Sequence, residues 1–286
     1  MTTSPLFASA VLVAAVVGGT RTAHAQEPQW AGAAVAAIEA QIQRDGVPGL
    51  SCAVAVGDAL VLRRGFGLAD VENDVPATPR TVYRLASISK PVTAVMALQL
   101  AEAGALDLDA DVATVVAEWP RKDWPVTTRQ LLGHLGGVRH YRGEAESVEA
   151  FATQRAAVPR FAADPLVHEP GTRYLYSTYG YNLVGAVLEA RSGEAFAALV
   201  RARIAEPCGA VTLQADDSRQ LIRGRAQGYV RVAGVLRNSQ PMDSSYKLAG
   251  GGLCSSAEDL ARFAQALLAG RLLPQERLTA MWTEQT

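Results

Sequence analysis

The apolar positions of the chain change period several times, and each change marks an element. Leu6 to Val17 is an apolar run broken only by Ser9 and closed by Gly18-Gly19. Trp30 to Arg44 is alanine-rich with helical periodicity and stops at Gly46. Leu50 to Val56 and Ala59 to Phe66 are apolar, β-prone runs separated by Gly57-Asp58, a two-residue hairpin signal. Asp70 to Arg80 is polar, carries Pro76 and Pro79, and reads as a connecting loop. From Ser89 to Ala103 the chain is apolar on nearly every side, with Gly104 as a stop; such a helix belongs in the middle of a protein. Thr127 to Leu135 predicts a short helix halted by Gly136-Gly137, and Tyr179 to Arg191 and Glu194 to Ala205 predict two more, split at Ser192-Gly193. Gln227 to Leu236 alternates weakly, as a strand or hairpin does, and Ser255 with Glu258 predicts a capping box for a helix ending at Gly270. The order implies an α+β body with an inserted helical region. Because a lone hairpin is not a stable sheet, further strands must come from elsewhere.

The leading apolar run is shorter than the roughly 20 residues a membrane span needs. Ala23-His24-Ala25 follows it with the small-x-small pattern of a signal-peptidase site. Residues 1–25 are therefore expected to be a signal peptide, with 26–286 as the working domain, exported to the periplasm or medium without a stable membrane anchor. No Lys or Arg precedes the apolar run, so the leader is weakly charged. A net charge of −1 with no long single-sign run argues against an electrostatic grip on nucleic acid. That leaves a small-molecule or peptide-like partner. The three cysteines, Cys52, Cys208 and Cys254, lie far apart without metal spacing; two could pair in an oxidising compartment, or all three could be separate buried thiols. His134, His140 and His168 form no HxxxH or HExxH pattern, so neither a metal nor another cofactor is expected.

Candidate chemistry begins at Ser87-Ile88-Ser89-Lys90, where an extended stretch enters the buried helix. A serine hydroxyl needs a base before it attacks a carbonyl. Positions i and i+3 of a helix share a face, so Lys90 can reach Ser87. Burial would depress the lysine pKa and free its lone pair, and backbone N–H groups at a helix N-terminus suit a developing oxyanion. The spacing alone is weak, and the chain holds a second copy, Ser244-Ser245-Tyr246-Lys247. That copy precedes Leu248-Ala249-Gly250-Gly251-Gly252 rather than a recognisable helix, so context favours the first. Gly171 to Tyr181 then places Tyr176 on a loop before a helix, where a phenol could relay a proton to a leaving group. The alternative for this stretch is a packing cluster of Tyr174, Tyr176, Tyr179 and Tyr181.

Four stretches in order resemble one family. Arg84 to Lys90 resembles the S-x-x-K nucleophile motif of serine β-lactamases and penicillin-recognising peptidases, above all their class C-like group. Gly171 to Tyr181 is similar to that group's Tyr-x-Asn box, and Leu131-Leu-Gly-His134-Leu-Gly-Gly137 to its "LLxHxSG" turn. Asp243 to Gly252 with Ser255 to Leu260 is similar to its glycine-rich turn and following helix. With His140-Tyr141, the match leans to the mitochondrial β-lactamase-like branch and its bacterial relatives, over about Val47 to Leu273. The resemblance implies a β-lactamase/transpeptidase-like fold, a sheet flanked by helices plus a helical region. It also implies a serine hydrolase that forms an acyl-enzyme on Ser87 and cleaves a peptide, amide, ester or β-lactam. In that reading Lys90 is the general base, Tyr176 the proton relay and the Ser87 N–H one oxyanion donor, with Thr178 and Gly251 on the substrate side.

Two departures bear on these expectations. Thr178 stands where the box usually has Asn. No Lys-Thr-Gly or His-Thr-Gly triplet follows Gly252, so the chain reads as a C-terminally truncated member lacking the last strands and one oxyanion donor. Losing such a donor costs ~10²–10³ in rate. The alternative is therefore a non-hydrolytic penicillin-binding sensor or scaffold relative.

Overall fold

The computed structural model describes residues 9–17, 28–143 and 147–285, the first of these as backbone alone. Ser9–Val17 forms strand β1 and Ala31–Asp45 helix α1. Gly49–Val56 (β2) and Ala59–Asp70 (β3) follow as an antiparallel hairpin, with Val75–Pro76 (β4) on the outer side of β3. Gly57 takes φ +54° in the hairpin turn, a left-handed value that glycine adopts without a steric penalty. β1 runs parallel to β2, giving a four-stranded sheet in the order β1-β2-β3-β4. β1 lies inside the stretch read as a leader; residues 1–8 and 18–27, which include its cleavage site, are outside the described residues.

Strand alternation decides which helix covers which face. Cys52, Val54 and Leu62 pack with Ala31 of α1, joined by Val35 and Ile38. Ala53 and Ala55 point the other way, against Ala257 and Ala261 of a late helix, Ala257–Leu268. Alanines on both sides let that helix approach closely. The connecting stretch expected over Asp70–Arg80 is loop apart from Asp70, which ends β3, and β4.

The second region is helical. Val82–Arg84 (β5) leads through a 3-10 turn at Ala86–Ile88 into Ser89–Glu102 (α2). Thr128–Leu132 (α3), Gln154–Ala157 (α4), Pro159–Ala162 (α5), Thr178–Ser192 (α6), Phe196–Val200 (α7) and Glu206–Cys208 (α8) follow, the last two joined by a π turn. Gln214–Ala215 (β6), the hairpin Tyr229–Val232 (β7) and Val235–Asn238 (β8), and Leu248–Gly251 (α9) come next. Leu253–Ser256 (β9), Ala257–Leu268 (α10) and Gln275–Trp282 (α11) complete the described chain. β9 sits between β5 and β6 in a small antiparallel sheet that joins the two regions.

The main core gathers around α2 and α6. Val92, Val95, Met96, Leu183, Val184 and Val187 are fully buried there, which is why α2 reads as apolar on all sides. Gly185 lets α6 meet α9: a Cβ at this position would stand 2.6 Å from the Ala249 Cβ. Gly185→Val is therefore expected to destabilise the fold by about 1–3 kcal/mol through overpacking. An unchanged urea midpoint would show that α9 yields freely.

Local sequence signals missed some boundaries. The cap of α10 is Ser256, the last residue of β9, whose hydroxyl accepts the Asp259 N–H at 3.2 Å, one residue beyond the expected Ser255. α3 stops at Leu132, three residues before the expected Leu135. The stretch after Ser244 is helical after all, a 3-10 turn at Ser245–Lys247 running into α9. Even so Lys247 turns away from Ser244: its Nζ contacts the Met242 sulfur at 3.1 Å, and Ser244 is buried. The three cysteines are separate buried thiols.

Candidate active site

Ser87 occupies the middle of the 3-10 turn between β5 and α2. The turn is fixed from both sides. Leu85 is buried and its N–H donates to the Leu253 carbonyl at 2.9 Å. Arg84 donates to the buried Asp216 at 2.6 Å, and Arg225 holds that carboxylate's other oxygen at 2.9 Å. Ala86 sits at φ +46°, a left-handed conformation uncommon for a residue with a side chain. This bend leaves Ser87 exposed, while Lys90 is only 5% exposed. Residues three apart eclipse in a 3-10 turn, which brings Lys90 under the serine: Nζ to Ser87 Oγ is 3.1 Å.

Lys90 Nζ also donates to the Gly250 carbonyl at 2.6 Å and to Thr178 Oγ1 at 3.3 Å, and lies 4.8 Å from the Tyr176 ring centre. Burial lowers its pKa from the usual lysine value, against the opposing pull of Tyr176. Tyr176 brings its hydroxyl to 2.6 Å from Ser87 Oγ. Burial works to raise the pKa of this phenol, but hydrogen bonds from Lys90 and Ser87 outweigh it and hold the phenol below its usual range. Ser87, Lys90 and Tyr176 thus share one hydrogen-bonded cluster, an exposed hydroxyl backed by a buried amine and a phenol.

Thr178 and Gly251 fall beside this cluster in different ways. Thr178 is buried and accepts from Lys90, so its hydroxyl is turned toward the lysine. Gly251 lies against the Ala86 backbone, where a Cβ would come within 3.5 Å. The other tyrosines do pack or face solvent: Tyr179 stacks on Phe161 at 4.5 Å, Tyr181 donates to the Leu132 carbonyl at 2.9 Å, and Tyr174 is exposed.

Several neighbours make contacts that the sequence did not assign. The Gly250 carbonyl is the nearest acceptor of Lys90, and Gly250 itself admits no side chain, since a Cβ would meet Thr178 Cγ2 at 2.5 Å. Thr93 Oγ1 donates to the Ala249 carbonyl at 2.8 Å and the Leu253 N–H donates to Ser89 Oγ at 3.2 Å, tying the glycine turn to α2. His134 and His140 flank Tyr176 with ring centres 4.5 and 5.5 Å away; the resemblance of the 131–137 turn and of His140-Tyr141 had marked both without giving them these places. A cavity of about 670 Å³ opens elsewhere, between β3, Thr78–Arg80 and Glu258, and holds none of these residues.

The family model Beta-lactamase matches residues 34–286. The mitochondrial serine beta-lactamase-like protein of Homo sapiens is 31% identical, over 83% of this chain and 59% of its own. The chain thus spans about three fifths of that relative's length. The octameric penicillin-binding protein homologue from Pyrococcus abyssi superposes with a TM-score of 0.74 at 28% identity, covering 88% of this chain and 60% of the other. A D-amino acid amidase from Ochrobactrum anthropi gives 0.74 at 26% identity, over 86% of this chain and 73% of its own. With a β-lactamase/transpeptidase-like fold and a family match that runs from α1 through α11, this chain belongs to the Beta-lactamase family of serine hydrolases.

Proposed function

We propose that this protein hydrolyses a peptide, amide or ester bond of a small substrate through an acyl-enzyme on Ser87. The observation that carries this reading is the cluster itself, with Ser87 Oγ 3.1 Å from a buried lysine and 2.6 Å from a tyrosine. Neutral Lys90 takes the Ser87 proton as Oγ attacks the carbonyl carbon, and the carbonyl oxygen becomes an oxyanion facing the Ser87 N–H. Tyr176 donates its proton to the departing amine or alkoxide and regains one from Lys90. Water then attacks the ester on Ser87, its proton passes to the same pair, and the acid leaves as Ser87 is restored. Amidase and penicillin-binding homologues among the structural neighbours support the substrate class. The leader pattern supports work outside the cytoplasm.

The experiment is intact mass and peptide mapping after treatment with a fluorophosphonate. One adduct, on Ser87, is the expected result. A folded chain that takes no adduct would favour the non-hydrolytic binder, the reading motivated by Thr178.

A further inference from the structure

α3 closes in an unusual way. The Leu135 N–H reaches the Gln130 carbonyl at 2.7 Å and the His134 N–H the Leu131 carbonyl at 3.2 Å, the paired bonds of a Schellman closure. The left-handed position of that closure normally holds glycine. Here it holds His134, at φ +59°, although Gly133 stands next to it in the chain. Histidine tolerates this conformation better than most residues, yet less well than glycine. The fold therefore retains an imidazole where a bare backbone would close the helix more easily.

The imidazole is used. The His134 carbonyl accepts the Leu175 N–H at 2.8 Å, and its Nδ1 accepts the Ser177 N–H at 3.2 Å. One residue thus holds the chain on both sides of Tyr176. The next amide, Thr178 N–H, donates to His140 Nδ1 at 3.1 Å. Glycine at 134 could supply the first of these contacts and not the second. Accepting through Nδ1 requires that nitrogen to carry no proton. Burial, then the charge of Lys90, then His140 pull the His134 pKa down to about 4. The groups facing the two rings include Lys90 from α2, Tyr174, Tyr176 and Tyr181, and Tyr141 beside His140. Arg139 donates to the His140 carbonyl and is itself paired with Asp164.

We infer that His134 and His140 are positioning residues, whose Nδ1 atoms clamp consecutive amides after Tyr176 and so hold its hydroxyl against Ser87. The inference rests on Tyr176 acting as the proton relay, and the test separates the two. Asparagine at 134 tolerates the left-handed backbone and offers an Oδ1 near the place of Nδ1; glycine suits the backbone and offers no acceptor. His134→Asn is expected to keep kcat within a few-fold. His134→Gly is expected to lose ~10–10² in kcat with little change in KM, the cost of a small misplacement of a reacting group. Hydrogen exchange at the Ser177 amide, followed by NMR in a Ser87→Ala background, needs no turnover. It should accelerate about tenfold or more in His134→Gly alone, as a lost buried hydrogen bond implies. Equal exchange in the two variants would overturn the clamp. Faster exchange with unchanged kcat would overturn its role in placing the phenol. If His134→Asn does not fold, His140→Asn against His140→Ala makes the same comparison at the Thr178 amide.

Discussion

Ser87→Ala is expected to reduce turnover of a chromogenic ester or amide by on the order of 10⁴–10⁶, as loss of an activated nucleophile does elsewhere. The replacement removes one exposed oxygen and leaves the turn intact, because Leu85, Arg84 and Asp216 hold it independently of the hydroxyl. The folded structure should therefore survive, and circular dichroism on the same sample checks this. Among the described residues no other serine pairs with a buried lysine and a phenol in this way. The second S-x-x-K copy has a buried Ser244, and its lysine contacts Met242 rather than the hydroxyl. Turnover that persists in a folded Ser87→Ala protein would mean that the nucleophile lies elsewhere.

Lys90→Met should cost ~10²–10⁴ in kcat at neutral pH, the span typical of a lost general base. Methionine keeps the length and the burial of the side chain while removing the lone pair. The pH dependence has a definite sign. Burial lowers the Lys90 pKa in the folded protein from the usual 10.5, so the neutral, reactive amine forms at lower pH than on a free lysine. Wild-type rate should rise with pH through that lowered value, and the residual rate of Lys90→Met should lack this step. Stability carries the same signature. Between the lowered pKa and 10.5 the unfolded chain binds more protons than the folded one, and stability rises with pH wherever that holds. Urea unfolding of wild type should thus gain on Lys90→Met as pH increases across that window. Identical pH–rate profiles, or a wild-type rate that falls across the window, would remove Lys90 from the role of base.

The sequence reveals elements that local chemistry dictates and hides those set by distant partners. The hairpin at Gly57-Asp58 and the all-round burial of α2 follow from residues within one window. Ser87 and Lys90 were legible because three positions on a helical turn suffice to join them. Tyr176 needed the family resemblance to be preferred over a packing tyrosine, since nothing local ties a residue 89 positions away to that serine. The glycine turn and His140 were marked by the resemblance, but what Gly250 and His140 contact was not: one acts through a carbonyl every residue has, the other through a ring nitrogen aimed at a backbone amide. The α10 cap slipped by one residue because two serines stand side by side, and local sequence does not say that β9 runs on to the second before the helix begins. The strands needed beyond the hairpin came partly from β1, inside a stretch that patterning assigns to a leader.

The hydrogen bonds of Lys90 have a consequence for how the molecule acquires its chemistry. Its partners Thr178 and Gly250 lie 88 and 160 positions along the chain. Loops of that length are slow to close, and contacts between distant segments form after local ones. A nascent chain that already contains the complete nucleophile helix therefore holds a lysine with Ser87 beside it but neither Thr178 nor Gly250 in place and no phenol overhead. On the proposed mechanism, reactivity would arrive only when the last of these loops has shut, and an incompletely folded chain would be a chemically silent one.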